Sequence, residues 1–378
     1  MSDTVRVLHI LGAMGLGGAE TMVMNLYRQI DRQKVQFDFV VHTDQEKAYD
    51  GEIKSLGGRM YSCPRYRGVN HFSYMSWWKA FLTEHTEYKI LHSHICSTAS
   101  LYLPVARKHG LVSIIHSHST SNGRGMEAAV KDILQLPLRR QADYLFACSK
   151  EAGEWLFGKK AVRSERFHVM PNAIDSERFR FDPALREGVR KELGVEESFV
   201  IGHVGRLAPE KNHSFLFRVF QELLKRKPNA VLLLFGDGEL REQLIQEADA
   251  LGISGRVTFF GARKNVSEYY HAMDAFVFPS AWEGLGIAAL EAQAAGLPCF
   301  IADTVPRAVD IGADLATFLS LDKPAAEWAG LIHSVQRNDT TQFVRKAGYD
   351  VRDNAMALQR FYEKLSNEAN RVRIQKPV

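Results

Sequence analysis

Two glutamates in the C-terminal half of the chain are spaced so that both can contact the same ligand. Glu283 and Glu291 stand eight residues apart, in a run that passes from the strand-like stretch 275–278 through a Gly-containing loop into an Ala-rich segment. The pattern predicts a helix that begins near Gly286, with Glu283 in the loop before it and Glu291 about one and a half turns inside it. Two carboxylates would then flank the start of one helix.

The start of this helix predicts a seat for phosphate oxygens. The first backbone N–H groups of a helix have no partner within it, and here they belong to Leu285, Gly286 and Ile287. Beside such a seat, Glu283 and Glu291 can accept hydrogen bonds from hydroxyl groups, so the arrangement suits a sugar nucleotide. The alternative is that Glu283 caps or solvates a loop while Glu291 lies on an exposed helix face.

The loop 205–212, which follows the first apolar run of the C-terminal half, carries Arg206 and Lys211. A diphosphate leaving group gains negative charge as its bond to a sugar breaks, and fixed cations stabilise that transition state. Arginine can hold two oxygens at once, whereas lysine acts as a point charge. The alternative is a solvated loop in which Arg206 bridges to Glu210.

A glycine-rich loop, 15–20, follows the first apolar run of the chain. Glycine lets the backbone approach a ligand closely and adopt positive φ, which makes Gly17 and Gly18 candidate ligand neighbours. The spacing does not satisfy G-x-G-x-x-G, because Glu20 occupies the third glycine position. A dinucleotide-binding fold and a nicotinamide oxidoreductase are therefore disfavoured. The alternative for this loop is a tight turn that leads into a helix.

Four histidines form two H-S-H pairs, His92 with His94 and His116 with His118. Alternate residues of a strand share a face, which is compatible with a metal site. These strands are expected to be buried in a sheet, so no metal is predicted. His118 ends its strand and is the candidate for a functional role, with His116 as the competing position if the register shifts by two residues. His92 and His94 are interpreted as structural.

Short apolar runs alternate with helical patterns along the chain, which is typical of parallel sheets covered on both faces. The predicted strands are 5–11, 37–41, 90–94, 112–116, 144–147, 199–204, 230–235, 257–260, 275–278 and 298–301. Helices are predicted near 20–30, 214–225, 240–250, 266–271, 288–295 and 353–370. The alternation lapses over 170–183, which we interpret as a hinge between two doubly wound α/β domains, 1–175 and 176–352. Ligands are expected at the carboxyl ends of the strands, in a central cleft.

The closing helix, 353–370, is predicted to bury one stripe of apolar side chains. The stripe consists of Ala357, Leu358, Phe361 and Leu365.

These motifs together resemble those of a known enzyme family. The run 279–298 resembles the E-x7-E signature of retaining GT-B glycosyltransferases, especially glycosyltransferase family 4. Residues 205–211 resemble the family's GR-x4-K motif, and 17–20 resemble its GGAE loop, which lies over the donor diphosphate and the acceptor. The resemblance implies two Rossmann-like domains that face a central cleft, with helix 353–370 crossing back onto the first. It also implies that His118 contacts the donor sugar or the reacting centre.

The implied activity is a retaining, metal-independent transfer of a sugar from a nucleoside-diphosphate sugar to a hydroxyl of a glycan or a lipid-linked oligosaccharide. UDP is the nucleotide expected from the family, whose similar bacterial members build capsule, exopolysaccharide or O-antigen repeats. Arg206, Lys211 and the helix start would hold the diphosphate. Glu291 would accept hydrogen bonds from ribose hydroxyls, and Glu283 from the donor sugar. No cofactor is expected.

Two rival functions stay open at this stage. One is a non-catalytic partner that binds a sugar nucleotide or a glycan within a polysaccharide synthesis complex. The other is a GT-B sugar-nucleotide epimerase. The net charge of +4 over 378 residues is too small to indicate a nucleic-acid-binding protein.

The composition favours a cytoplasmic protein. Four cysteines lack CxxC spacing, which argues against a zinc site or a disulfide framework and fits a reducing compartment. No apolar stretch approaches the roughly 20 residues needed to cross a bilayer, and the first residues lack a leader pattern. We therefore expect an enzyme that is either free in the cytoplasm or in peripheral contact with the inner face of the cell membrane.

Residues 60–75 and 119–140 combine basic and apolar side chains that could hold a lipid-pyrophosphate acceptor at a membrane face. The side chains concerned are Arg65, Tyr66, Arg67, Phe72, Tyr74, Arg124, Lys131, Leu134, Leu136, Arg139 and Arg140. The alternative is an ordinary solvated helix surface.

Overall fold

The structure is a computed structural model that describes residues 4–119, 126–263 and 265–374. The chain divides into two compact units. The first consists of Met1–Ala173 and Tyr349–Val378, and the second of Ile174–Gly348. Each unit is built around one sheet of parallel strands with helices packed against it.

The first unit contains a sheet whose described strands all pair in parallel. The strands are β1 (Val5–Leu11), β2 (Val35–Val41), β3 (Met60–Ser62), β4 (Ile90–Ser93), β5 (Val112–Ser117), β6 (Tyr144–Ala147) and β7 (Phe167–Val169). Their order across the sheet is β3-β2-β1-β4-β5-β6-β7. The helices are α1 (Gly18–Gln29), α2 (Asp50–Ser55), α3 (His71–Glu84), α4 (Ala99–Lys108), α5 (Met126–Gln135), α6 (Leu138–Gln141), α7 (Lys150–Phe157) and the closing helix α16 (Val351–Ile374).

Alternate residues of these strands enter two separate cores. Val7 packs with side chains of α1 and α16 on one face of the sheet, and Leu8 packs with side chains of α3 and α4 on the other. Because both faces are covered, a central strand such as β2 is buried along its whole length. This explains why the strands are recognisable in the sequence as continuous apolar runs.

The closing helix α16 packs against α1, and its buried stripe differs from the predicted one. The buried residues are Val351, Ala355, Leu358, Tyr362 and Leu365. Ala357 is exposed and Phe361 is only partly buried, so the predicted stripe was wrong at Ala357. The reason is the helical repeat: three- and four-residue steps from Leu358 lead to Ala355 and Tyr362.

The second unit contains a similar parallel sheet. Its strands are β8 (Phe199–Val204), β9 (Ala230–Phe235), β10 (Val257–Phe259), β11 (Ala275–Phe278), β12 (Cys299–Ala302) and β13 (Ala316–Leu319). The order is β10-β9-β8-β11-β12-β13. The helices are α8 (Ser176–Phe179), α9 (Pro183–Leu193), α10 (His213–Leu224), α11 (Arg241–Ala250), α12 (Val266–Ala272), α13 (Ile287–Ala294), α14 (Ala325–Leu331) and α15 (Thr341–Lys346).

Each of the predicted strands is present, and the two-sheet α/β fold is confirmed. The prediction missed three strands, β3, β7 and β13, which have only three or four residues and lie at sheet edges. The hinge region 170–183 contains α8 and the start of α9, where the Asp182 carboxylate accepts a hydrogen bond from Ala184 N at 2.8 Å. Among the described residues, no helix combines the length and apolar character that crossing a membrane requires.

In each parallel sheet there is one point at which successive strands begin to be added on the opposite side. The reversal lies between β1 and β4 in the first unit and between β8 and β11 in the second. Loops that follow such neighbouring strands diverge, which leaves a crevice where open α/β sheets bind ligands. The glycine loop follows β1, the loop with Arg206 and Lys211 follows β8, and the loop with Glu283 follows β11. The fold therefore places these predicted loops at the two switch points.

Candidate functional site

In the second unit, the loops after β8 and β11 are held side by side. The two strands are paired neighbours, with Ala275 opposite Ile201. Beyond their ends, the backbone N–H of Ala281 donates a hydrogen bond to the carbonyl of Glu210 at 2.8 Å. This contact fixes the distance between the loop that carries Lys211 and the loop that carries Glu283.

Lys211 and Glu283 form an ion pair across these two loops. The Lys211 ammonium donates to Glu283 Oε1, and the side chains are only 17% and 12% exposed. The ammonium also lies 5.3 Å from the centre of the Phe278 ring. A Cβ atom at Gly205 would lie 3.3 Å from the Lys211 stem, so glycine leaves room for it. A basic and an acidic residue predicted to bind different parts of a ligand are thus paired with each other.

Arg206 is the most exposed of the predicted site residues in this unit. Its guanidinium donates to Glu210 Oε1 at 3.0 Å and lies 3.9 Å from a Glu239 carboxylate oxygen, with the side chain 60% exposed. The hydrogen bond with Glu210 raises the pKa of Arg206. This local bridge matches the alternative interpretation of the loop. Exposed pairs of this kind contribute little to stability, so a phosphate group can replace Glu210 at small cost.

The predicted helix start is present as α13. Gly286 is its N-cap, with φ at 91°, a left-handed conformation that favours glycine. A Cβ atom there would lie 3.2 Å from both Phe278 and Val305. Within the described residues, the backbone N–H groups of Leu285 and Ile287 donate to no protein acceptor, and neither does that of Gly286. These N–H groups are therefore available as donors, and their role as a seat for phosphate oxygens stays a prediction.

Glu291 lies on α13 with a protein partner that the sequence did not reveal. Its Oε2 accepts a hydrogen bond from the Tyr270 hydroxyl of α12 at 2.9 Å. Packing around the carboxyl raises its pKa to about 7, although the Tyr270 hydrogen bond and the charge of Arg178 act in the opposite direction. Nothing in the residues around Tyr270 indicates this contact, because it depends on how α12 packs against α13.

The glycines after β9 have a structural reason that does not involve a ligand. A Cβ atom at Gly236 would lie 2.0 Å from the carbonyl oxygen of Gly205, and one at Gly238 would lie 2.4 Å from that of Leu207. The Leu207 N–H also donates to the carbonyl of Asp237 at 3.1 Å. The two loops therefore pack backbone against backbone, which only glycine permits.

In the first unit, Gly17 and Gly18 lie at the start of α1. Gly17 is the N-cap with φ at −75°, and Gly18 is the first helical residue. Neither has positive φ, so left-handed backbone is not the reason for glycine here. A Cβ atom at Gly17 would approach the flexible Glu20 carboxylate at 2.3 Å, whereas Gly18 has open space beside it. Their proposed contact with a ligand stays a prediction.

A pocket of about 1360 Å³ lies within the first unit. Backbone and small side chains after β1 and β4 border it, including Gly12, Ala13 and Thr98. Its basic lining residues are Lys47, Arg65, Arg67 and Lys131. Two segments that contribute to the lining, around residues 68 and 131, were predicted as an acceptor surface.

Large apolar side chains on the same segments are exposed. They are Val69, Phe72, Val130, Ile133 and Leu136. Tyr74 was expected on this surface, but it is buried and its hydroxyl lies 3.1 Å from His42 Nε2, because it faces the sheet from α3. Arg124 lies outside the described residues. Of the other apolar residues predicted there, Phe72 and Leu136 are exposed, whereas Tyr66 and Leu134 are partly buried. The acceptor surface stays a prediction.

His118 follows β5 and belongs to a cluster of five histidines that the sequence revealed only in part. His94 Nδ1 lies 2.8 Å from His118 Nε2, and His9 Nδ1 lies 3.1 Å from His94 Nε2. His9 was not singled out, because its place beside β4 becomes visible only once β1 and β4 pair. His92 and His116 stack against this group. Burial lowers the pKa of His118 to about 4.

Several solved structures share this fold. Anabaena HepE in complex with UDP and glucose matches with a TM-score of 0.68 at 19% identity, over 97% of this chain and 98% of that chain. WaaG, a glycosyltransferase involved in lipopolysaccharide biosynthesis, matches with a TM-score of 0.65 at 17% identity, over 96% and 98%. The fold is therefore the GT-B fold of glycosyltransferases.

The sequence matches the corresponding family models in both halves. The model of Glycosyltransferase Family 4 covers residues 16–178, and that of Glycosyl transferases group 1 covers residues 186–350. EpsF of Bacillus subtilis (strain 168), a protein whose name assigns it to the glycosyltransferases, is 37% identical over 96% of this chain and 97% of its own length. The chain belongs to the family 4 and group 1 glycosyltransferases, and it is a transferase enzyme.

A second relative carries a name that states a reaction. The UDP-Gal:α-D-GlcNAc-diphosphoundecaprenol α-1,3-galactosyltransferase of Escherichia coli is 30% identical over 59% of each chain. That name gives UDP-galactose as the donor and a diphosphoundecaprenol-linked sugar as the acceptor of the Escherichia coli protein.

Proposed function

We propose that this protein is a retaining, metal-independent glycosyltransferase that moves a sugar from a UDP-sugar to a hydroxyl of a lipid-linked glycan in cell-surface polysaccharide synthesis. The observation that carries the proposal is the partly buried Lys211–Glu283 pair beside the N–H groups at the start of α13, which donate to no acceptor among the described residues. Together they offer hydrogen-bond donors for an anion and a carboxylate that can accept from sugar hydroxyls. Both lie at the switch point of the second sheet.

The diphosphate of the donor is bound by the start of α13 together with Lys211 and Arg206. As the bond between sugar and phosphate breaks, charge accumulates on the phosphate oxygens, and these fixed donors stabilise it. Cationic side chains and helix N–H groups then perform the role that a divalent cation has in other transferases. Neither a metal nor another cofactor is part of the proposed reaction.

The two glutamates orient the donor. Glu283 accepts hydrogen bonds from hydroxyls of the donor sugar, while Lys211 holds its carboxylate in place. Glu291 accepts from the ribose hydroxyls, and Tyr270 fixes its orientation. His118, at the end of β5, contacts the donor sugar or the reacting centre, and Gly17 and Gly18 at the start of α1 are neighbours of the ligand.

Retention of configuration follows from attack on the same face of the sugar. The acceptor hydroxyl attacks the anomeric carbon, the bond to the phosphate oxygen breaks with its electron pair, and the leaving phosphate takes the hydroxyl proton. The covalent alternative needs a carboxylate nucleophile. Glu283 is poorly suited to that role because its carboxylate is already engaged by Lys211.

The acceptor proposal is supported by the pocket of the first unit. Its cations suit a pyrophosphate group, and the exposed apolar side chains on the same segments suit a lipid chain. The name of the Escherichia coli relative states a UDP-sugar donor and a diphosphoundecaprenol-linked acceptor, which agrees with this chemistry. We therefore place the enzyme in the cytoplasm, in peripheral contact with the inner face of the membrane.

Nucleotide release from a panel of UDP- and GDP-sugars tests the proposal. With a lipid-pyrophosphate glycan as acceptor, one UDP-sugar should release UDP rapidly and give a product with the anomeric configuration of the donor. Without acceptor, release should be slow. A protein that binds the donor but never releases UDP would be a non-catalytic partner, and conversion of the donor sugar to its epimer would identify an epimerase. Either outcome rejects the proposal.

Lys211→Ala and Lys225→Ala form a matched pair for this assay. Lys225 is an exposed lysine of the same unit, and within the described residues its ion-pair partner is Glu222 near the end of α10. We expect Lys211→Ala to lower kcat by about 100-fold or more, because it removes a charge that stabilises the transition state. Lys225→Ala should retain wild-type turnover. Equal turnover in the two variants would show that Lys211 has no part in the reaction.

A further inference from the structure

Three histidines of the first unit form one hydrogen-bonded row. His9 lies near the end of β1, His94 directly after β4, and His118 directly after β5. The row runs from His9 Nδ1 to His94 Nε2 at 3.1 Å, and from His94 Nδ1 to His118 Nε2 at 2.8 Å. The central ring therefore uses both of its nitrogens, one on each neighbour.

Two further histidines stack on this row without extending it. The His92 ring lies 4.5 Å from that of His94 at an interplanar angle of 17°, and the His116 ring lies 4.2 Å from that of His118 at 25°. His92 has a partner elsewhere, because its Nδ1 lies 2.6 Å from the Tyr362 hydroxyl of α16. His92 thus packs against the row, but its hydrogen bond goes to a residue outside the row.

Some of these nitrogens are close enough together to be considered for a metal ion. Two groups of three fall within reach, His9 with His92 and His94, and His94 with His116 and His118. A metal needs lone pairs that converge on one point at about 2.0–2.1 Å. The lone pairs lie in the ring planes. Rings that are stacked and nearly parallel therefore point their lone pairs in parallel directions, which do not converge on one metal ion. The geometry favours the hydrogen-bonded row.

The row couples the protonation sites of its three rings. A neutral imidazole has one N–H and one lone pair, and burial keeps these rings neutral by lowering the pKa of His9 to about 3 and of His118 to about 4. If His94 donates from Nδ1 to His118, it must accept at Nε2 from His9, and His118 then carries its proton on Nδ1. If every hydrogen bond is reversed, His118 Nδ1 carries no proton and presents its lone pair.

The free end of the row is His118 Nδ1. This atom is buried and, within the described part of the chain, has no protein partner. At the other end, His9 Nε2 is likewise buried and unpartnered. A group that contacts Nδ1 of His118 therefore selects one of two proton arrangements for the whole row: an oxygen acceptor selects the N–H form, and a hydroxyl donor selects the lone pair.

We propose that His9 and His94 are positioning residues that act through this row to set the tautomer and ring orientation of His118, so that His118 presents an N–H at Nδ1 to an oxygen of the bound sugar donor. The role of the donor rests on the proposed function. The coupling between His9 and His118 does not, because it follows from the hydrogen bonds alone.

Nitrogen-15 NMR of ring-labelled histidines in the full chain reads the tautomers directly. His9→Phe removes the far end of the row without touching the bond between His94 and His118. We expect it to shift the His118 ring nitrogens towards the other tautomer, and His94→Phe to do the same. The matched control is His92→Phe, which keeps the stacked ring and loses only the Tyr362 contact. It should leave the His118 nitrogens as in the wild type.

Kinetics with the UDP-sugar donor give the second readout. His9→Phe and His94→Phe should lower kcat by about 10- to 100-fold, as the loss of an orienting partner does for metal-ligating histidines. KM for the donor should change much less, and His94→Gln, which keeps a donor and an acceptor, should recover part of the loss. His92→Phe should lower thermal stability without this loss of turnover.

Three results would overturn the inference. One is an unchanged His118 tautomer in folded His9→Phe protein. Another is an equal effect of His92→Phe, which would show that packing alone matters. The third is a Co²⁺ absorption band that His94→Phe abolishes, because the cluster would then be a metal site. A protein that shows the tautomer coupling but has no transferase activity would instead reject the proposed function.

Discussion

Lys211 and Glu283 are ion-paired between two loops that follow adjacent strands of the second sheet. Each residue comes from a different sequence motif, and the pair forms only because β8 and β11 are neighbours. Both side chains are largely buried, so each charge depends on the other for compensation. The pair therefore contributes to stability, and substitutions at the two positions measure that contribution.

The first prediction concerns this pair. Lys211→Met should lower the free energy of unfolding by about 1–3 kcal/mol, because it leaves the Glu283 carboxylate partly buried without its donor. Glu283→Gln in the same chain should recover much of that loss, since the neutral amide needs no counter-charge. Urea unfolding of the two single variants and the double variant measures the coupling. Strictly additive effects would show that the two side chains are independent.

The second prediction concerns pH and Glu291. Its pKa is raised from an ordinary value of 4.5 to about 7 in the folded protein. Between these values the folded state holds a proton that the unfolded state has lost, so the contribution of Glu291 to stability is most favourable below about pH 4.5 and falls as pH rises towards 7. Glu291→Gln removes this titration. Its stability relative to the wild type should rise by about 1–3 kcal/mol across that window.

Thermal or urea unfolding of both proteins between pH 4.5 and pH 8 tests this. Because other groups titrate equally in both, the difference curve isolates Glu291. A flat difference would mean that the carboxyl is as well solvated in the folded state as in the unfolded one.

The third prediction concerns the start of α13. Gly286→Ala places a side chain at φ 91° and within 3.2 Å of Phe278 and Val305, which should destabilise the protein by about 1–3 kcal/mol. It should also weaken UDP binding, because the N–H groups at the helix start shift. Gly284→Ala is the control, since its Cβ would meet nothing within 4 Å and its φ is not positive.

Isothermal titration with UDP and urea unfolding compare the two alanine variants. If Gly284→Ala weakened UDP binding as much as Gly286→Ala, loop flexibility rather than the helix start would be responsible.

The fourth prediction concerns the pocket of the first unit. Replacing Arg65 and Lys131 by alanine should raise KM for a lipid-pyrophosphate acceptor by about 10-fold, because two cations near a pyrophosphate are lost. Slow donor hydrolysis without acceptor should be unchanged. Lys54→Ala, an exposed lysine of α2 that does not line the pocket, is the control.

An acceptor titration at saturating donor, with hydrolysis measured in parallel, separates these effects. If the double variant slowed donor hydrolysis as well, its cations would serve the donor rather than the acceptor.

The sequence predicted those parts of the site that depend on local order along the chain. The E-x7-E run fixed the loop and helix positions of Glu283 and Glu291, and the alternation of apolar runs indicated two parallel sheets. What it missed depends on packing between distant elements. Tyr270 reaches Glu291 only because α12 lies against α13, and His9 reaches His94 only because β1 pairs with β4.

The same distinction explains the errors in local detail. Ala357 was placed on the buried stripe of α16 because it is apolar, but its small side chain gave no signal about which face it occupies. The ion pair between Lys211 and Glu283 was not predicted, because the two residues lie 72 positions apart in the sequence. Spacing along the chain reveals a motif, whereas the pairing of charges from two motifs requires the fold.

Titration of UDP into the wild-type protein and into Glu291→Ala tests the central claim most directly, because it requires no knowledge of the sugar or the acceptor. We expect one UDP to bind per chain, and the variant to bind about 10-fold more weakly, since it loses the carboxylate that accepts from the ribose. A wild-type protein that binds no UDP, or a variant that binds it with unchanged affinity, would contradict the assignment of the nucleotide to the start of α13.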